Sequence, residues 1–532
     1  MPVMNRRLHA LLSVCLMSGI ALSAAQLPRI EKRAHGWQLL VDGSPFLILG
    51  GQVNNSSGWA SLLPDIWKTY DALGANTVEI PVYWDAIEPQ QGRFEFENLD
   101  RIVASAREHR VHLVLLWFGS WKNGASNYVP GWMKQDRRQY PTMVDAAGNV
   151  TGIISPWFES ARNADSAAFS ALMRHLREID EREGTVIMVQ VENESGSYGT
   201  PRDYSADATA RFQSAVPAKL AALKHRNGNW AQVFGPEAEE AFSAWGFASY
   251  INAVAEAGKR AYPLPIYVNC WLSEGDNFER PGENYPSGGP VAGMLDIWKA
   301  AAPAIDVIAP DIYLPSHEAY RRTMTAYLRP DNPLFIPETY CEPPGPRRLF
   351  EAIGEFGAIG FSPFGLDATG WTDTTPKRIA DLAASYHLLA PMVSQISEWQ
   401  TAGQLRAAVQ DTDVSSRLLH FDAWDVLAEF NRPNYGFGGE AKQDGRVLIA
   451  QTGPLEFVLI GFDTRVRFRA ARGVAAPGQR APGDGARFLR VEEGRYEKGS
   501  WITHQPLNGD QTDFGLNLPS AGAVYRVWLL RD

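Results

Sequence analysis

Eight short apolar runs, rich in β-branched residues, constrain this fold more than any other feature. They occupy residues 45–51, 77–83, 111–118, 186–191, 265–270, 306–312, 333–336 and 358–364. Segments with helical periodicity, such as 99–109 and 166–181, separate most of them. Strands that are apolar on both faces and alternate with helices require a parallel sheet covered on both sides. Eight such units over about 350 residues predict a (β/α)8 barrel with loop insertions. A doubly wound open sheet is the competing arrangement. It needs a phosphate-binding glycine loop after its first strand, and Gly50-Gly51-Gln52 followed by Asn54-Asn55 does not make one.

Two of the runs stop on carboxylates. The fourth leads into Glu192-Asn193-Glu194 and a Gly/Ser loop, and the seventh leads through Pro337 into Glu338. Burying an unpaired charge is costly, so a core strand rarely ends this way without a task. The plain alternative for either glutamate is an ion-pair partner or a helix cap. In a barrel, strands four and seven would carry Glu194 and Glu338 to the C-terminal face, where such folds place their chemistry. Two glutamates so placed suit acid-catalysed sugar hydrolysis: one protonates the leaving oxygen and the other attacks the sugar carbon. The Asn193 amide can hold the sugar 2-hydroxyl, a contact that tightens in the transition state. Strand alternation puts Glu192 on the same face as Glu194. Glu192 lies one step deeper, where a structural ion pair is expected.

The string from Val189 to Gly199 resembles the acid/base signature of glycoside hydrolase family 35, the retaining β-galactosidases. That signature reads Q-x-E-N-E followed by an aromatic, and Ser195 stands here in the aromatic's place. The resemblance implies that Glu194 is the acid/base and Glu338 the nucleophile. Trp84-Asp85-Ala86-Ile87-Glu88-Pro89, with Gly92, Phe94 and Phe96, is similar to the W-x-x-x-E-P-x-x-G-x-F/Y-x-F pattern of families 35 and 42. There are departures. Pro81 replaces a tyrosine, Ile87 replaces a histidine, and Ser120 is what the third strand offers in place of a galactose-holding glutamate. The chain thus looks like a divergent branch of family 35 with a C-terminal β domain. The implied activity is a retaining exo-β-galactosidase acting on oligosaccharides or plant-type polysaccharide side chains. The alternatives are another retaining β-glycosidase (β-glucosidase, β-mannosidase or arabinosidase) and a catalytically silent carbohydrate-binding barrel.

Other residues extend this reading. The chain has 17 tryptophans, and indole faces stack on sugar C–H faces as readily as they fill cores. Trp84, Trp121 and Trp271 lie beside strand ends and are the candidates for subsite walls. Tyr313 follows the sixth run and is either a hydrogen-bond donor to the nucleophile or a core tyrosine. No histidine–cysteine spacing makes a zinc site and no acidic loop matches a calcium motif, so neither metal nor cofactor is expected. Cys270 and Cys341 fall near the ends of runs five and seven, which are not barrel neighbours, and are expected as isolated thiols.

Arg6-Arg7, an apolar stretch and Ser23-Ala24-Ala25 form the three regions of a signal peptide, residues 1–25, with cleavage after Ala25. A periplasmic or secreted protein follows, with no other apolar stretch long enough to span a membrane. The formal net charge of −10 over 532 residues and the lack of a basic block exclude a nucleic-acid partner and suit a neutral carbohydrate. Residues 26–400 are expected to form the barrel, with an eighth helix over 379–389 begun by Thr374-Thr375-Pro376. Residues 401–532 read as a β-sandwich-like antiparallel domain. Its strands are expected at 446–450, 455–462, 466–469, 486–491, 500–503 and 523–530, with an exposed loop over 475–485. Its expected role is to brace the barrel.

Overall fold

The computed structural model describes residues 26–273, 280–367, 376–412, 414–430, 444–471 and 486–530. The expected signal peptide, the Thr374-Thr375 cap and the 475–485 loop lie outside the described residues.

The barrel strands are β1 (Ile48–Gln52), β2 (Thr77–Tyr83), β3 (His112–Lys122), β4 (Val186–Asn193), β5 (Ile266–Trp271), β6 (Val307–Ile312), β7 (Glu338–Thr339) and β8 (Gly360–Phe361). They pair in parallel in the order β7-β6-β5-β4-β3-β2-β1-β8. A parallel bridge between Ile336 and Phe361 joins the two ends. The ladder part of β7 falls just after the expected run at 333–336. Pro333 and Pro337 have no N–H to give, so the apolar run keeps only the Ile336 bridge.

One principal helix follows each strand: α1 (Leu63–Leu73), α2 (Glu97–His109), α3 (Glu159–Asp180), α4 (Ala238–Ala261), α5 (Leu295–Ala301), α6 (His317–Tyr327), α7 (Gly345–Gly354) and α8 (Pro376–Leu389). Strand residues alternate between two cores. Val78, Ile80 and Val82 of β2 face the helices. Val114, Leu116, Met188, Tyr267, Val307 and Phe335 fill the interior. The run expected at 45–51 divides. Ser44–Phe46 joins a three-stranded antiparallel sheet with Arg29–Arg33 and Gly36–Val41, and β1 starts at Ile48. Leu39 and Val41 of that sheet pack with Ile48 and Ile359 in the interior cluster.

Further along the strands the interior turns polar. Gln52, Glu79 and Gln190 are fully buried. Gln52 is in register with Glu79, and Gln190 with Tyr267. The Tyr267 hydroxyl donates to Glu79 at 2.9 Å. Burial pushes the Glu79 carboxyl up to about 8.

The C-terminal region holds two antiparallel sheets. β9 (Leu405–Val409), β12 (Arg446–Gly453), β13 (Glu456–Phe462), β15 (Phe488–Glu497), β16 (Ser500–Pro506) and β18 (Ala523–Leu529) form the larger, in the order β9-β12-β13-β18-β15-β16. β10 (Ser416–His420), β11 (Trp424–Glu429), β14 (Thr464–Ala470) and β17 (Leu516–Leu518) form the smaller, in that order. The larger sheet is apolar on both faces. Leu448, Val458, Ile460 and Phe462 join the barrel core. Val447, Ile449, Phe457 and Leu459 meet Val426, Val466 and Phe468 of the smaller sheet. Among the described residues no helix is long and apolar enough to cross a membrane.

Candidate active site

β4 ends on a backbone that strands rarely adopt. Glu192 (φ +63°) and Glu194 (φ +44°) are both left-handed, a conformation that holds in non-glycine residues only where the surroundings enforce it. The two-residue alternation stops there, and the two glutamates part. Glu192 turns toward the helix layer. Its Oε2 accepts the Trp121 N–H at 2.7 Å, and its carboxyl lies beside that of Asp165 on α3. Asp165 accepts from the Trp117 indole at 2.9 Å and the Ser120 hydroxyl at 2.6 Å. Burial, and then the Asp165 charge, hold the Glu192 carboxyl well above the usual range, so the pair shares a proton. Two expectations are corrected here. The partner of Glu192 is a second carboxyl rather than a cation, and Glu192 does not share a face with Glu194. Ser120 faces the same buried network through Asp165 and Tyr250.

Glu194 turns inward. One carboxylate oxygen each from Glu194, Asp311 of β6 and Glu338 of β7 lie within 4.8 Å of one another. Asn269 of β5 ties the three together. Its side-chain oxygen accepts the Glu194 N–H at 2.8 Å. Its amide donates to Asp311 at 2.8 Å and to Glu338 at 3.4 Å. Glu338 also accepts the Gln52 amide at 3.0 Å and the Tyr313 hydroxyl at 3.0 Å. The Tyr340 hydroxyl donates in turn to the Tyr313 carbonyl. Burial keeps the Tyr313 hydroxyl protonated, well above its ordinary value, so it stays a donor.

Lys122, at the end of β3, donates to the Asn193 side-chain oxygen at 2.7 Å. This orients the Asn193 amide. Its NH2 group is buried and has no hydrogen-bond partner among the described residues, so it is a donor open to a ligand. The Glu194 carboxyl is pushed up to about 7. Burial is the main cause and the Glu338 charge the second, with the Lys122 ammonium pulling the other way. Asp311 is held well above the carboxylate range by burial and by both neighbouring carboxyls. With one ammonium facing three buried carboxyls, a proton stays in the cluster near neutrality. The same three oxygens are spaced to ligate a small cation.

The tryptophans divide. Trp84 and Trp121 are fully buried, which corrects their assignment as subsite walls. The Trp84 indole donates to Glu88 at 2.8 Å, and Glu88 also accepts the Gly92 N–H at 2.7 Å. The W-x-x-x-E-P-x-x-G string is therefore a clasp on the turn after β2. Trp121 packs edge-on against Phe247 and Tyr250. Trp271, closing β5, is exposed. Cys270 and Cys341 are buried and form no disulfide among the described residues. Gln52, Lys122, Asn269 and Asp311 escaped the reading of the sequence. Asn269 and Asp311 were detectable as polar interruptions near the ends of runs five and six.

A closed parallel barrel with two glutamates at the C-terminal ends of its fourth and seventh strands has the architecture of a glycosidase. Residues 38–264 match the family described as glycosyl hydrolases family 35. The match covers β4 and Glu194 and ends before Glu338. Residues 382–519 match a domain of unknown function, DUF5597. Among relatives, a β-galactosidase of Xanthomonas manihotis is 29% identical over 181 residues, 34% of this chain and 29% of that protein. β-Galactosidase 17 of Arabidopsis thaliana is 28% identical over 173 residues, 31% of this chain and 22% of that protein. The chain thus spans less than a third of the length of these relatives. The β-galactosidase structure from Bacillus circulans sp. alkalophilus aligns with a TM-score of 0.47 and 16% identity, covering 66% of this chain and 57% of that one.

Proposed function

We propose that this chain is a retaining exo-β-galactosidase releasing terminal galactose from oligosaccharides or plant-type side chains. The observation that carries the mechanism is the approach of Glu194 and Glu338, with oxygens within 4.8 Å. Retaining enzymes hold their carboxyls about 5–5.5 Å apart, whereas inverting enzymes leave room between them for a water. Glu338 attacks the anomeric carbon as the bond to the leaving oxygen breaks, and Glu194 gives that oxygen its proton. Glu194 then takes a proton from water, whose oxygen attacks the anomeric carbon and frees Glu338. Tyr313, Gln52 and Asn269 aim Glu338, and the Asn193 amide meets the 2-hydroxyl. No cofactor enters these steps.

Galactose specificity is supported by the names of the relatives. A second reading, a retaining β-glycosidase for another sugar, is favoured by Pro81, Ile87 and Ser120 standing where the family pattern has other residues. A panel of nitrophenyl β-galactoside, β-glucoside, β-mannoside and arabinoside decides between them, with NMR of the first-formed anomer. β-Galactose released first from the β-galactoside supports the proposal, and α-galactose overturns retention. Hydrolysis of none of them would leave the silent binding barrel. We further propose export to the periplasm or medium. N-terminal sequencing of the native protein should then begin near Gln26, and an intact Met1 would contradict it.

A further inference from the structure

The polar layer of the barrel interior, next to Glu338, holds two acceptor oxygens with nothing to accept. The side-chain oxygen of Gln52 and the Oε1 of Glu79 are buried and have no hydrogen-bond partner among the described residues. Both residues are at 0% exposure. A buried polar atom left unmet is costly, so two on neighbouring residues point to a bond between them.

Their placement allows it. Gln52 and Glu79 are register partners on β1 and β2, and adjacent strands lie about 4.8 Å apart. Both side chains point inward. The Gln52 amide donates to the Glu338 Oε1 at 3.0 Å. Tyr267, from the interior cluster, donates its hydroxyl to the Glu79 Oε2 at 2.9 Å. Two bare oxygens cannot bond to each other, but a neutral Glu79 carboxyl supplies an O–H. With Oε2 already accepting from Tyr267, that proton belongs on Oε1. Burial outweighs the neighbouring Ser362 and Tyr267 hydroxyls and pushes the Glu79 carboxyl up to about 8, with the Glu338 charge acting in the same direction. The other titratable groups that face Glu79 are Tyr267 of β5, Tyr70 of α1 and Tyr386 of α8. All three are held protonated, well above the ordinary tyrosine value, by burial first. The Ser362 hydroxyl, just past β8, is a third buried group without a partner and the rival of Gln52 for Glu79.

The consequence runs through the Gln52 amide, which has one oxygen and one NH2 group. An O–H from Glu79 engages the oxygen and leaves the NH2 for Glu338. An ionised Glu79 would attract the NH2 instead and would set a second negative charge beside the nucleophile. We propose that Glu79 is a positioning residue for the nucleophile: in its neutral form it donates from Oε1 to the Gln52 side-chain oxygen and so turns the Gln52 amide onto Glu338. Glu79 acts through Gln52, and the proposal rests on Glu338 as the nucleophile.

The test uses the full chain and dinitrophenyl β-galactoside. This leaving group needs no proton from Glu194, so kcat/KM reports the attack of Glu338. In the wild type kcat/KM should fall as pH rises through about 8. Glu79→Gln, whose NH2 stands in for the O–H, should keep the neutral-pH rate and abolish that fall. Glu79→Leu should lower the rate roughly 10- to 10²-fold at every pH, and Ser362→Ala should change neither. If Glu79→Leu does not fold, the pH profiles of the wild type and Glu79→Gln decide. The proposal is overturned if Glu79→Gln keeps the alkaline fall or is as slow as Glu79→Leu. It is also overturned if Glu79→Leu is fully active, or if Ser362→Ala reproduces its loss. Should no dinitrophenyl β-glycoside turn over, the glycosidase reading falls and crystal structures of the variants decide the positioning. A Gln52 amide that stays on Glu338 in Glu79→Gln and leaves it in Glu79→Leu supports the proposal, and one unmoved in both overturns it.

Discussion

In the proposed mechanism Glu194 carries a proton into the first step, and its surroundings are arranged to keep one there. Burial and the Glu338 charge lift its carboxyl to about 7. The alkaline limb of kcat/KM should therefore fall with an apparent pKa near 7, because activity is lost as the acid ionises. Lys122→Met removes the one influence pulling that value down from the cationic side. The limb should move to higher pH, while kcat drops by roughly 10²-fold as Asn193 loses its anchor. A pH–rate profile of this variant checks both, and a limb that moves down would refute the electrostatic assignment. Glu194→Ala should cost about 10²–10⁴ in kcat on poor leaving groups and spare glycosylation by a dinitrophenyl glycoside. Azide should rescue it to the β-azide. In Glu338→Gly azide enters the vacated face and should yield the α-azide. Glu192→Gln should keep both steps, since its carboxyl bonds to Trp121 and Asp165.

At the scale of elements, the larger C-terminal sheet is informative because it is buried on both faces. Ile460 of β13 faces the barrel core and its neighbour Leu459 faces the sandwich core, both at 0% exposure. Either truncation to alanine should cost about 2–5 kcal/mol. Ile460→Ala should in addition lower the stability reported by barrel tryptophans. Urea unfolding followed by fluorescence and circular dichroism measures both effects. A barrel signal untouched by Ile460→Ala would show that the sheet does not brace it. The six strands expected beyond residue 401 became ten among the described residues. Ser416–His420 is exposed at four of its five positions and Leu516–Leu518 has only three residues. The first lacks the alternating apolar pattern that marks a strand in sequence, and the second alternates over too few residues to show it.

For the whole molecule, buried carboxyls raised above their ordinary values shape the response to pH, Glu192 and Asp311 among them. Glu79 is lifted from 4.5 to about 8, and Glu194 and Glu240 to about 7. A carboxyl whose folded-state pKa is raised contributes stability that is complete below its unfolded value and is lost as pH climbs through its folded one. The thermal midpoint should therefore decline from about pH 5 to pH 8, and Glu79→Gln should flatten that decline. Calorimetric scans across this range check it, and an unchanged slope would refute a protonated Glu79. The carboxylate cluster is also spaced for a cation. Chelator treatment should nevertheless leave turnover unchanged, because the proposed steps use proton transfer alone. Activity lost to a chelator and restored by a divalent ion would place a metal in the site.

The amino-acid order by itself determined the barrel, because eight both-face-apolar strands separated by helices admit few other ways to bury their surface. It also placed the candidate glutamates, since a charge at the end of such a strand stands out against its neighbours. The company of those glutamates was decided by tertiary structure. Asn269, Asp311, Gln52 and Lys122 come from strands far apart in the chain, and only ring closure sets them around Glu338 and Glu194. The parting of Glu192 from Glu194 depends on two left-handed residues that local preference disfavours and the packed surroundings impose. For the same reason Trp84 and Trp121 read as candidate walls and proved to be core. Position along a strand tells where a side chain starts, and the packing of the neighbouring helices decides whether water or substrate ever meets it.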